Sequence, residues 1–396
     1  MSLNATPRAN RIHIGIFGKT NSGKSSLINA ITGQQISIVS PTSGTTTDPV
    51  YKSMEVNGIG PCVFIDTAGI DDTTELGKSR IMQTNKVIKK CDIAIVVISD
   101  DNLDAEVNLI SELKKLNIPT IPVLNKIDIM PDYTHLSNKI NMLTNSVPLP
   151  ISICNNSGID ILIDSIKKQV AKNNELISIT GHLIKKNDIV LLVMPQDIQA
   201  PQGRLILPQV QTIRELLDNK CIAICSTLDN VEQVLSILKQ PPKLIITDSQ
   251  VFKKIYELKP KQSKITSFSI LFARIKGDIN VFLEGAKAID TLTKDSKILI
   301  AEACTHAPMH EDIGREKIPK MICNKVGNDV KIDIVSGDDF PTDLREYNLI
   351  IHCGSCMFNR KHVLTRIQQA KAQNVPITNY GIAIAKMLDI LEKVDI

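Results

Sequence analysis

The chain has 396 residues, of which 43% are hydrophobic and 22% charged, and a formal net charge of +4 at pH 7. This length predicts two or three domains, each large enough for its own core. No apolar run approaches the roughly 18–20 residues of a membrane span. The mild charge and the absence of Trp argue against a nucleic-acid partner. Nine cysteines without a signal peptide indicate a reducing compartment, so we expect free thiols and a cytoplasmic protein.

The first motif follows an Ile-rich run at residues 11–17, where G-x-x-x-x-G-K-S occupies residues 18–25. It lies after a predicted strand and before a predicted helix, the context of a phosphate-binding loop. In such a loop the backbone N–H groups hold phosphates at a helix N-terminus. Lys24 would neutralise the β- and γ-phosphates, and the Ser25 hydroxyl would bind Mg²⁺. The predicted nucleotide-binding residues here are Gly18, Asn21, Ser22, Gly23, Lys24, Ser25 and Ser26.

Two further motifs follow in the order typical of GTPases. Residues 44–48, Gly-Thr-Thr-Thr-Asp, form a polar segment suited to a first switch, in which Thr46 would close over Mg²⁺ and the γ-phosphate. A buried strand then leads into the D-x-x-G motif at residues 66–69. Asp66 would hold Mg²⁺ through water, and Gly69 would sense the γ-phosphate. Together with Lys24, these three residues are the predicted catalytic group.

A guanine-recognition motif, N-x-x-D type with Lys after the Asn, occupies Asn125, Lys126 and Asp128. The Asp128 carboxylate can accept hydrogen bonds from guanine N1–H and from its 2-amino group. Adenine lacks that donor pair, and such a mismatch is worth about 10⁴-fold in the best cases. Ser152 lies in the weaker final motif of the series. The order and spacing of these motifs predict GTP, bound with Mg²⁺, as the nucleotide.

Asn21 and the Gly-Thr-Thr-x-Asp switch resemble those of the potassium-activated GTPases related to the tRNA-modification GTPase. That resemblance implies that Asn21 helps to bind K⁺ against the phosphates; the alternative is that Asn21 only caps the loop. Ile70 follows Gly69, where Ras-like proteins carry a water-positioning Gln. An Ile side chain cannot orient water, so we expect slow intrinsic turnover.

The middle of the chain has strands and helices but no catalytic constellation. Residues 172–188 are charged and non-periodic, which is typical of a linker. Beyond them, a β-α-β-α-β-α pattern continues through about residue 258. Cys221 and Cys225 lie in or beside an apolar strand, and we expect both to be small core residues. A small α/β unit without a site is most simply a spacer or an oligomerisation module.

The last part of the chain carries cysteines at the ends of predicted strands. Strands are expected near residues 297–303, 330–335, 348–352 and 375–379. Neighbouring parallel strands would place Cys304, Cys353 and Cys356 around one crevice. Soft thiolates select zinc, copper(I) or iron–sulfur clusters, and the spacing leaves a Cys3His zinc and a 4Fe-4S cluster both open. The candidate fourth ligands are His306, His310, Glu311 and His352.

P-loop GTPase motifs, a plain α/β segment and C-x-H…H-C-x-x-C in one chain resemble the FeFe-hydrogenase maturation GTPase family, HydF, over the full length. The resemblance implies a 4Fe-4S cluster on Cys304, Cys353 and Cys356 and a dimerising middle domain. It also implies a scaffold role, in which a transient diiron precursor is received and handed on. The implied partners are apo FeFe-hydrogenase, the radical-SAM maturation enzymes and a second copy of the chain.

We therefore predict an α/β chain with a P-loop GTPase domain at residues 1–172 and two smaller doubly wound α/β domains. These are a dimerisation domain at 180–262 and a cluster-binding domain at 264–396. The predicted function is a potassium-activated, GTP-hydrolysing scaffold and carrier that holds a 4Fe-4S cluster and delivers a diiron precursor. The alternative is a tRNA-modifying or ribosome-associated GTPase with a structural zinc domain.

Overall fold

The computed structural model of the chain describes residues 10–33, 49–71, 83–130, 132–173, 178–194, 205–303, 312–355 and 358–396. The chain divides into two compact units, Met1–Glu175 and Leu176–Ile396. Within the described ranges, every helix is too short or too polar to cross a membrane.

The first unit is organised around one twisted sheet. Its strands are β1 (Ile12–Gly18), β2 (Val50–Val56), β3 (Gly60–Asp66), β4 (Ile93–Ile98), β5 (Thr120–Leu124) and β6 (Leu149–Pro150). Its helices are α1 (Lys24–Thr32), α2 (Asp104–Lys115), α3 (Thr134–Thr144) and α4 (Ile159–Asn173). The strand order is β2-β3-β1-β4-β5-β6, with β2 antiparallel to β3 and the other pairs parallel.

Helices cover both faces of this sheet, and an apolar cluster lies on each face. Every residue of β4 is therefore buried, which explains its unbroken run of Ile, Ala and Val rather than an alternating pattern. The parallel strands direct the chain out of the sheet at one edge, where the motif-bearing loops follow β1, β3 and β5. This arrangement confirms the predicted α/β class.

The second unit contains two parallel sheets. The first is built from β7 (Ile189–Val193), β8 (Ile222–Ser226), β9 (Leu244–Thr247) and β10 (Lys264–Ser267), in the order β10-β9-β7-β8. The helices of this segment are α5 (Leu207–Asp218), α6 (Val231–Ile237), α7 (Phe252–Leu258) and α8 (Phe268–Lys276). The sequence boundary at 262–264 does not coincide with the division between the sheets, because β10 pairs with β9.

The second of these sheets has the order β12-β11-β13-β14. Its strands are β11 (Lys297–Ala301), β12 (Lys331–Val335), β13 (Leu349–His352) and β14 (Ile377–Asn379). The accompanying helices are α9 (Ile279–Ala286), α10 (Ile318–Val326), α11 (Arg360–Ala372) and α12 (Tyr380–Met387). All four strands lie where the sequence predicts them. Leu191 and Ile245 of the first sheet and Ile298 and Ile350 of the second belong to one continuous apolar core.

In the second unit, the sheet β10-β9-β7-β8 has two outer strands, whose edges are covered differently. At β10, Asp395 near the chain's end exchanges hydrogen bonds with the backbone of Ile265. At β8, Ile222 is 52% exposed and Cys225 is also exposed. Cys221 is buried, as expected, but Cys225 is not a core residue, because an edge strand leaves side chains uncovered.

Candidate nucleotide site and candidate metal centre

The P-loop runs from the end of β1 to the first turn of α1, which contains Ser25 and Ser26. Asn21 (φ 60°) and Gly23 (φ 100°) both adopt left-handed backbone conformations. A Cβ on Gly23 would lie 2.4 Å from Nδ2 of Asn125, so glycine is needed where the guanine motif packs on the loop. That same Asn125 amide donates to the backbone carbonyl of Ser22 (2.9 Å). The phosphate loop and the base-recognition motif are therefore joined directly.

Lys24 is buried beneath the loop. Its ammonium donates to the carbonyl oxygens of Gly18 (3.0 Å) and Lys19 (2.6 Å). Burial lowers the pKa of Lys24 to about 8, against the opposing attraction of Asp66 and other carboxylates. A buried ammonium held by neutral carbonyls is poised to gain from phosphate charge, the role that the sequence predicts for it.

The predicted Mg²⁺ ligands lie side by side. Parallel pairing puts Ile16 of β1 opposite Asp66 at the end of β3. The Ser25 hydroxyl donates to Asp66 Oδ2 (2.6 Å), while Asp66 Oδ1 is buried and has no hydrogen-bond partner in the part of the chain that the structure describes. Burial raises the pKa of Asp66, and Ser25 and Lys24 oppose the shift. A buried, half-satisfied carboxylate beside a hydroxyl fits a hard cation with oxygen ligands.

The guanine motif is assembled from β5 and the loop after β6. Lys126 has a left-handed backbone (φ 66°), which turns the chain so that Asp128 faces the final motif. The Ser152 hydroxyl donates to Asp128 Oδ1 (2.6 Å) and thereby orients the carboxylate. Ser22 Oγ and Asn125 Oδ1 are buried, and neither has a hydrogen-bond partner within the described ranges. These unpaired polar atoms on the loop's inner side fit a nucleotide that would bond them.

Sequence reasoning missed the contacts that fasten the P-loop to its surroundings. Lys19 pairs with Asp100 (2.8 Å) and lies 3.7 Å from the buried Glu106. Asp71, just beyond the D-x-x-G motif, accepts from both the N–H and the hydroxyl of Thr20 (2.8 and 2.9 Å). The acidic side chains come from distant positions after β3 and β4, so no local pattern signals them.

Glycine is required at position 69 because Thr20 and Asp71 both lie close to its backbone. A Cβ at that position would lie 2.2 Å from Thr20 Oγ1 and 2.8 Å from Asp71 Oδ1. Ile70 donates its N–H to the Gly18 carbonyl (3.3 Å), and its side chain packs against the core. Thr46 lies outside the described residues.

The candidate metal centre lies at the carboxyl ends of β11 and β13. The two strands are parallel neighbours, with Ala301 opposite His352, and the Cys353 N–H donates to the Ala301 carbonyl (2.9 Å). The strand adjacency on which the sequence prediction depended is therefore confirmed. Cys304 follows Ala301 by three positions, but it lies outside the described residues, as do His306, His310, Glu311 and Cys356.

Cys353 is held as a hydrogen-bond acceptor. The N–H groups of Ala303 (3.0 Å) and Ser355 (3.4 Å) both point at its sulfur. Two N–H donors favour a thiolate, the form that ligates a metal. Within the described ranges no three His, Cys, Asp or Glu side chains converge as a metal site, and of the three predicted thiols only Cys353 is placed.

The turn after Cys353 has its left-handed residue at Ser355 (φ 55°) rather than at Gly354. The buried Ser355 hydroxyl lies 3.0 Å from His352 Nδ1 and donates to the Cys353 carbonyl (3.1 Å). These contacts offset the cost of a left-handed conformation in a residue with a side chain.

His352 is fully buried, and both of its ring nitrogens are engaged. Nδ1 faces the Ser355 hydroxyl and the Cys353 carbonyl, and Nε2 lies 2.9 Å from a guanidinium nitrogen of Arg366. Burial and the neighbouring guanidinium lower the pKa of His352 to about 3, so its ring is neutral. In this arrangement His352 stabilises the turn that follows Cys353. To ligate a metal, its ring would have to release one of these hydrogen-bond partners.

A second polar group that the sequence did not indicate borders the crevice. Glu302 follows β11 and accepts from Arg315 (2.9 Å) and from the Ser336 hydroxyl (3.1 Å). The Tyr380 hydroxyl is buried and has no hydrogen-bond partner among the described residues, and a Cβ on Gly314 would lie 2.0 Å from it. Burial, with the nearby negative groups Cys353 and Glu302, raises the pKa of Tyr380. A neutral phenol therefore lies near the Cys353 sulfur.

Three family models match the chain. They describe a 50S ribosome-binding GTPase at residues 13–126, a hydrogen maturase F dimerization domain at 179–277 and a hydrogen maturase F tetramerization domain at 280–394. The two maturase models together cover more than half of the chain and correspond to its two C-terminal sheets.

Three relatives each match about half of the chain. The tRNA modification GTPase MnmE of Endomicrobium trichonymphae is 38% identical over 186 residues, covering 44% of this chain and 39% of that protein. MnmE of Ehrlichia canis is 31% identical over 239 residues, covering 56% and 50%. GTPase Der of Wolinella succinogenes is 36% identical over 168 residues, covering 40% and 35%. The chain thus spans half or less of each relative's length.

Among solved structures, Aquifex aeolicus Era bound to GDP·AlF4⁻ is 20% identical, with a TM-score of 0.37 and coverage of 54% of this chain and 92% of that one. A probable GTP-binding protein engB is 21% identical, with a TM-score of 0.35 and coverage of 40% and 99%. These values are too low to carry an argument about function.

The buried Lys24 predicts a proton-linked nucleotide affinity. With a pKa near 8, Lys24 is mostly neutral at pH 9, and phosphate charge would raise its pKa. GTP binding at pH 9 should therefore take up on the order of one proton, and at pH 6.5 none through Lys24. Calorimetry in buffers with different ionisation enthalpies measures this uptake.

The matched variant is Lys24→Arg, whose guanidinium stays protonated at both pH values and should abolish the uptake. The same linkage affects stability. Between about pH 8 and 10.5 the unfolded chain binds more protons at this position, so the free energy of unfolding should rise with pH there. Equal proton uptake by the wild type and Lys24→Arg would contradict the assignment.

Proposed function

The chain belongs to the hydrogen maturase F family, and from that premise we propose that it is a GTP-hydrolysing scaffold for a metallocluster delivered to an apo-hydrogenase. The GTPase domain and the hydrogenase-maturation assignment rest on the family models. The proposal adds a 4Fe-4S cluster on Cys304, Cys353 and Cys356, a transient diiron precursor, and the radical-SAM maturation enzymes and apo FeFe-hydrogenase as partners. We further propose that this takes place in the cytoplasm.

The observation that carries the cluster proposal is Cys353 itself. Its sulfur accepts two backbone N–H bonds at the carboxyl end of β13, one strand away from the segment that leads to Cys304. Hydrogen bonds to the sulfur atoms are one of the factors that set the reduction potential of an iron–sulfur cluster. Bound there, the cluster would offer an iron whose fourth ligand, from His306, His310, Glu311 or His352, is replaceable. The chain's own residues would fix the thiols and exclude water.

Anaerobic reconstitution tests this proposal. Wild-type protein should bind about four irons and four sulfides per chain, and Cys353→Ser, Cys304→Ser or Cys356→Ser should lose most of them. Cys323→Ser is the matched control, because Cys323 is a partly buried cysteine that packs against the core of the same unit. Lys24→Ala should keep its cluster while losing GTP hydrolysis.

A colourless protein with one zinc per chain would instead favour the second candidate, a tRNA-modifying or ribosome-associated GTPase with a structural zinc domain. The similarity of the chain to the tRNA modification GTPase MnmE supports this second candidate.

We also propose that K⁺ accelerates a slow intrinsic GTP hydrolysis. The support is Asn21 in its left-handed conformation within the P-loop and Ile70 after the D-x-x-G motif. Hydrolysis should be on the order of tenfold faster in KCl than in NaCl, equivalent to about 1.4 kcal/mol of barrier. Asn21→Ala should remove the difference, whereas Asn141→Ala, on the exposed side of α3, should retain it. Equal wild-type rates in the two salts would refute the role of K⁺.

The oligomer is the third part of the proposal: a homodimer formed through the open edge of β8. This edge carries the exposed Ile222, and Val210 and Leu217 on the preceding helix α5 are also exposed. A two-fold axis makes identical edge strands meet antiparallel, which would satisfy the unpaired backbone of both. The family model of this region, named a dimerization domain, supports this choice of partner.

Ile222→Lys places a charge at the first residue of that edge strand and should convert the dimer to a monomer at micromolar concentration, measured by light scattering. Met142→Lys is the matched control, since Met142 is 87% exposed in the first unit and should not affect the mass. A dimer that survives Ile222→Lys would exclude β8 as the interface.

A further inference from the structure

Arg366 on α11 is a buried cation in the second unit, with only 3% of its surface exposed. Its guanidinium lies between two aromatic rings, 4.7 Å from the centre of Phe340 and 4.8 Å from that of Phe358. Burial lowers its pKa to about 10, so it remains charged at neutral pH. Cation–π contacts of this kind stabilise a charge only modestly, by less than the cost of burying it unpaired.

The guanidinium joins the segments that surround Cys353. One terminal nitrogen lies 2.9 Å from His352 Nε2, and the other donates to the Gly337 carbonyl in the loop after β12. Because arginine only donates, His352 Nε2 must be the acceptor and the ring proton must be on Nδ1. That proton is then available to the Cys353 carbonyl or the Ser355 hydroxyl. A continuous chain of contacts thus runs from Arg366 to the thiol-bearing turn.

The charge of Arg366 is not neutralised by a nearby carboxylate. No acidic side chain in the described ranges lies within ion-pair distance of it, and its Nε is buried without a hydrogen-bond partner. The negative groups whose charges act on it are Cys353 and Asp338. Since a buried charge is costly unless it is compensated, the counter-charge that we assign to Arg366 is the thiolate of Cys353, at the end of β13.

We propose that Arg366 is a positioning residue of the metal centre: it orients His352 and the Cys353 turn, and its fixed charge makes the bound cluster easier to reduce. The inference rests on the proposed function, because it needs a thiolate-bound cluster at Cys353. A cluster on three thiolates gains one negative charge when it is reduced. A buried cation stabilises the more negative state, and the low local dielectric makes that effect larger than it would be at the surface.

The test is the reduction midpoint potential of the reconstituted protein, followed by EPR. Arg366→Gln removes the charge and should shift the potential to more negative values while the iron content stays close to that of the wild type. Arg366→Lys retains the charge, so its potential should lie close to that of the wild type. The matched control is Arg360→Gln on the same helix. Among the described residues, Arg360 donates hydrogen bonds to the carbonyls of Ile275 and Gly277 and not to His352 or the Cys353 turn, so the potential should stay unchanged.

A second variant moves the potential in the opposite direction. Asp338 is a partly exposed carboxylate whose negative charge opposes that of Arg366. Asp338→Asn should therefore shift the reduction potential to less negative values, and the shift should be smaller at high salt. If Arg366→Gln does not fold, Asp338→Asn decides, and an unchanged or lower potential there overturns the proposal.

The outcomes separate this inference from the proposed function. Wild-type protein that holds zinc or no cluster overturns both. Wild-type protein that holds a 4Fe-4S cluster, with Arg366→Gln at the wild-type potential, overturns only the role of Arg366. A shift that is equal in Arg366→Gln and Arg366→Lys would also overturn the electrostatic role, because the charge is retained in the second variant.

Discussion

The parallel pairing of β11 with β13 is the constraint on which the candidate metal centre depends. Its register places Ala301 opposite His352, so both strands end together and their following loops leave the sheet at the same edge. A slip of the pairing register by one residue would move the side chains of Cys353 and His352 each to the other face of the sheet. The Cys353 N–H bond to the Ala301 carbonyl extends the pairing to the first residue of the motif. The same logic operates in the first unit, where Asp66 ends β3 beside β1 and its P-loop.

Both sites bury charged groups whose hydrogen-bond and ring partners are uncharged. Lys24 is held by carbonyls, Asp66 by one hydroxyl, and Arg366 by an imidazole, a carbonyl and two rings. Such arrangements cost stability in a protein interior, where a charge without full compensation is expensive. Sites of this kind are where function opposes stability, since the missing counter-charge is what a ligand can supply. In the first unit that ligand is a nucleotide with its metal.

The second unit combines a site and an assembly surface on two sheets that share one core. The continuity of apolar residues from Ile245 to Ile350 means that the two sheets stabilise each other. The candidate crevice lies at the strand ends of the second of these sheets, and the proposed dimer contact lies at β8 of the first. Asp395 bonds the backbone of β10 at one outer strand, whereas the described residues add no strand beyond β8 at the other.

Much of this protein could be predicted from its sequence, because phosphate loops, guanine motifs and strand-end cysteines are local patterns. Glycine spacing and hydrophobic runs identified the motifs of β1, β3 and β5 and the four strands of the last sheet. Tertiary structure alone decided that β10 joins the middle sheet, that Cys225 lies at an edge and that Ser355 takes the left-handed turn position. It also decided that Asp100 holds Lys19 and that Arg366 holds His352. Strand order and the partner of a buried charge depend on contacts between residues distant in sequence, which periodicity and turn chemistry do not encode.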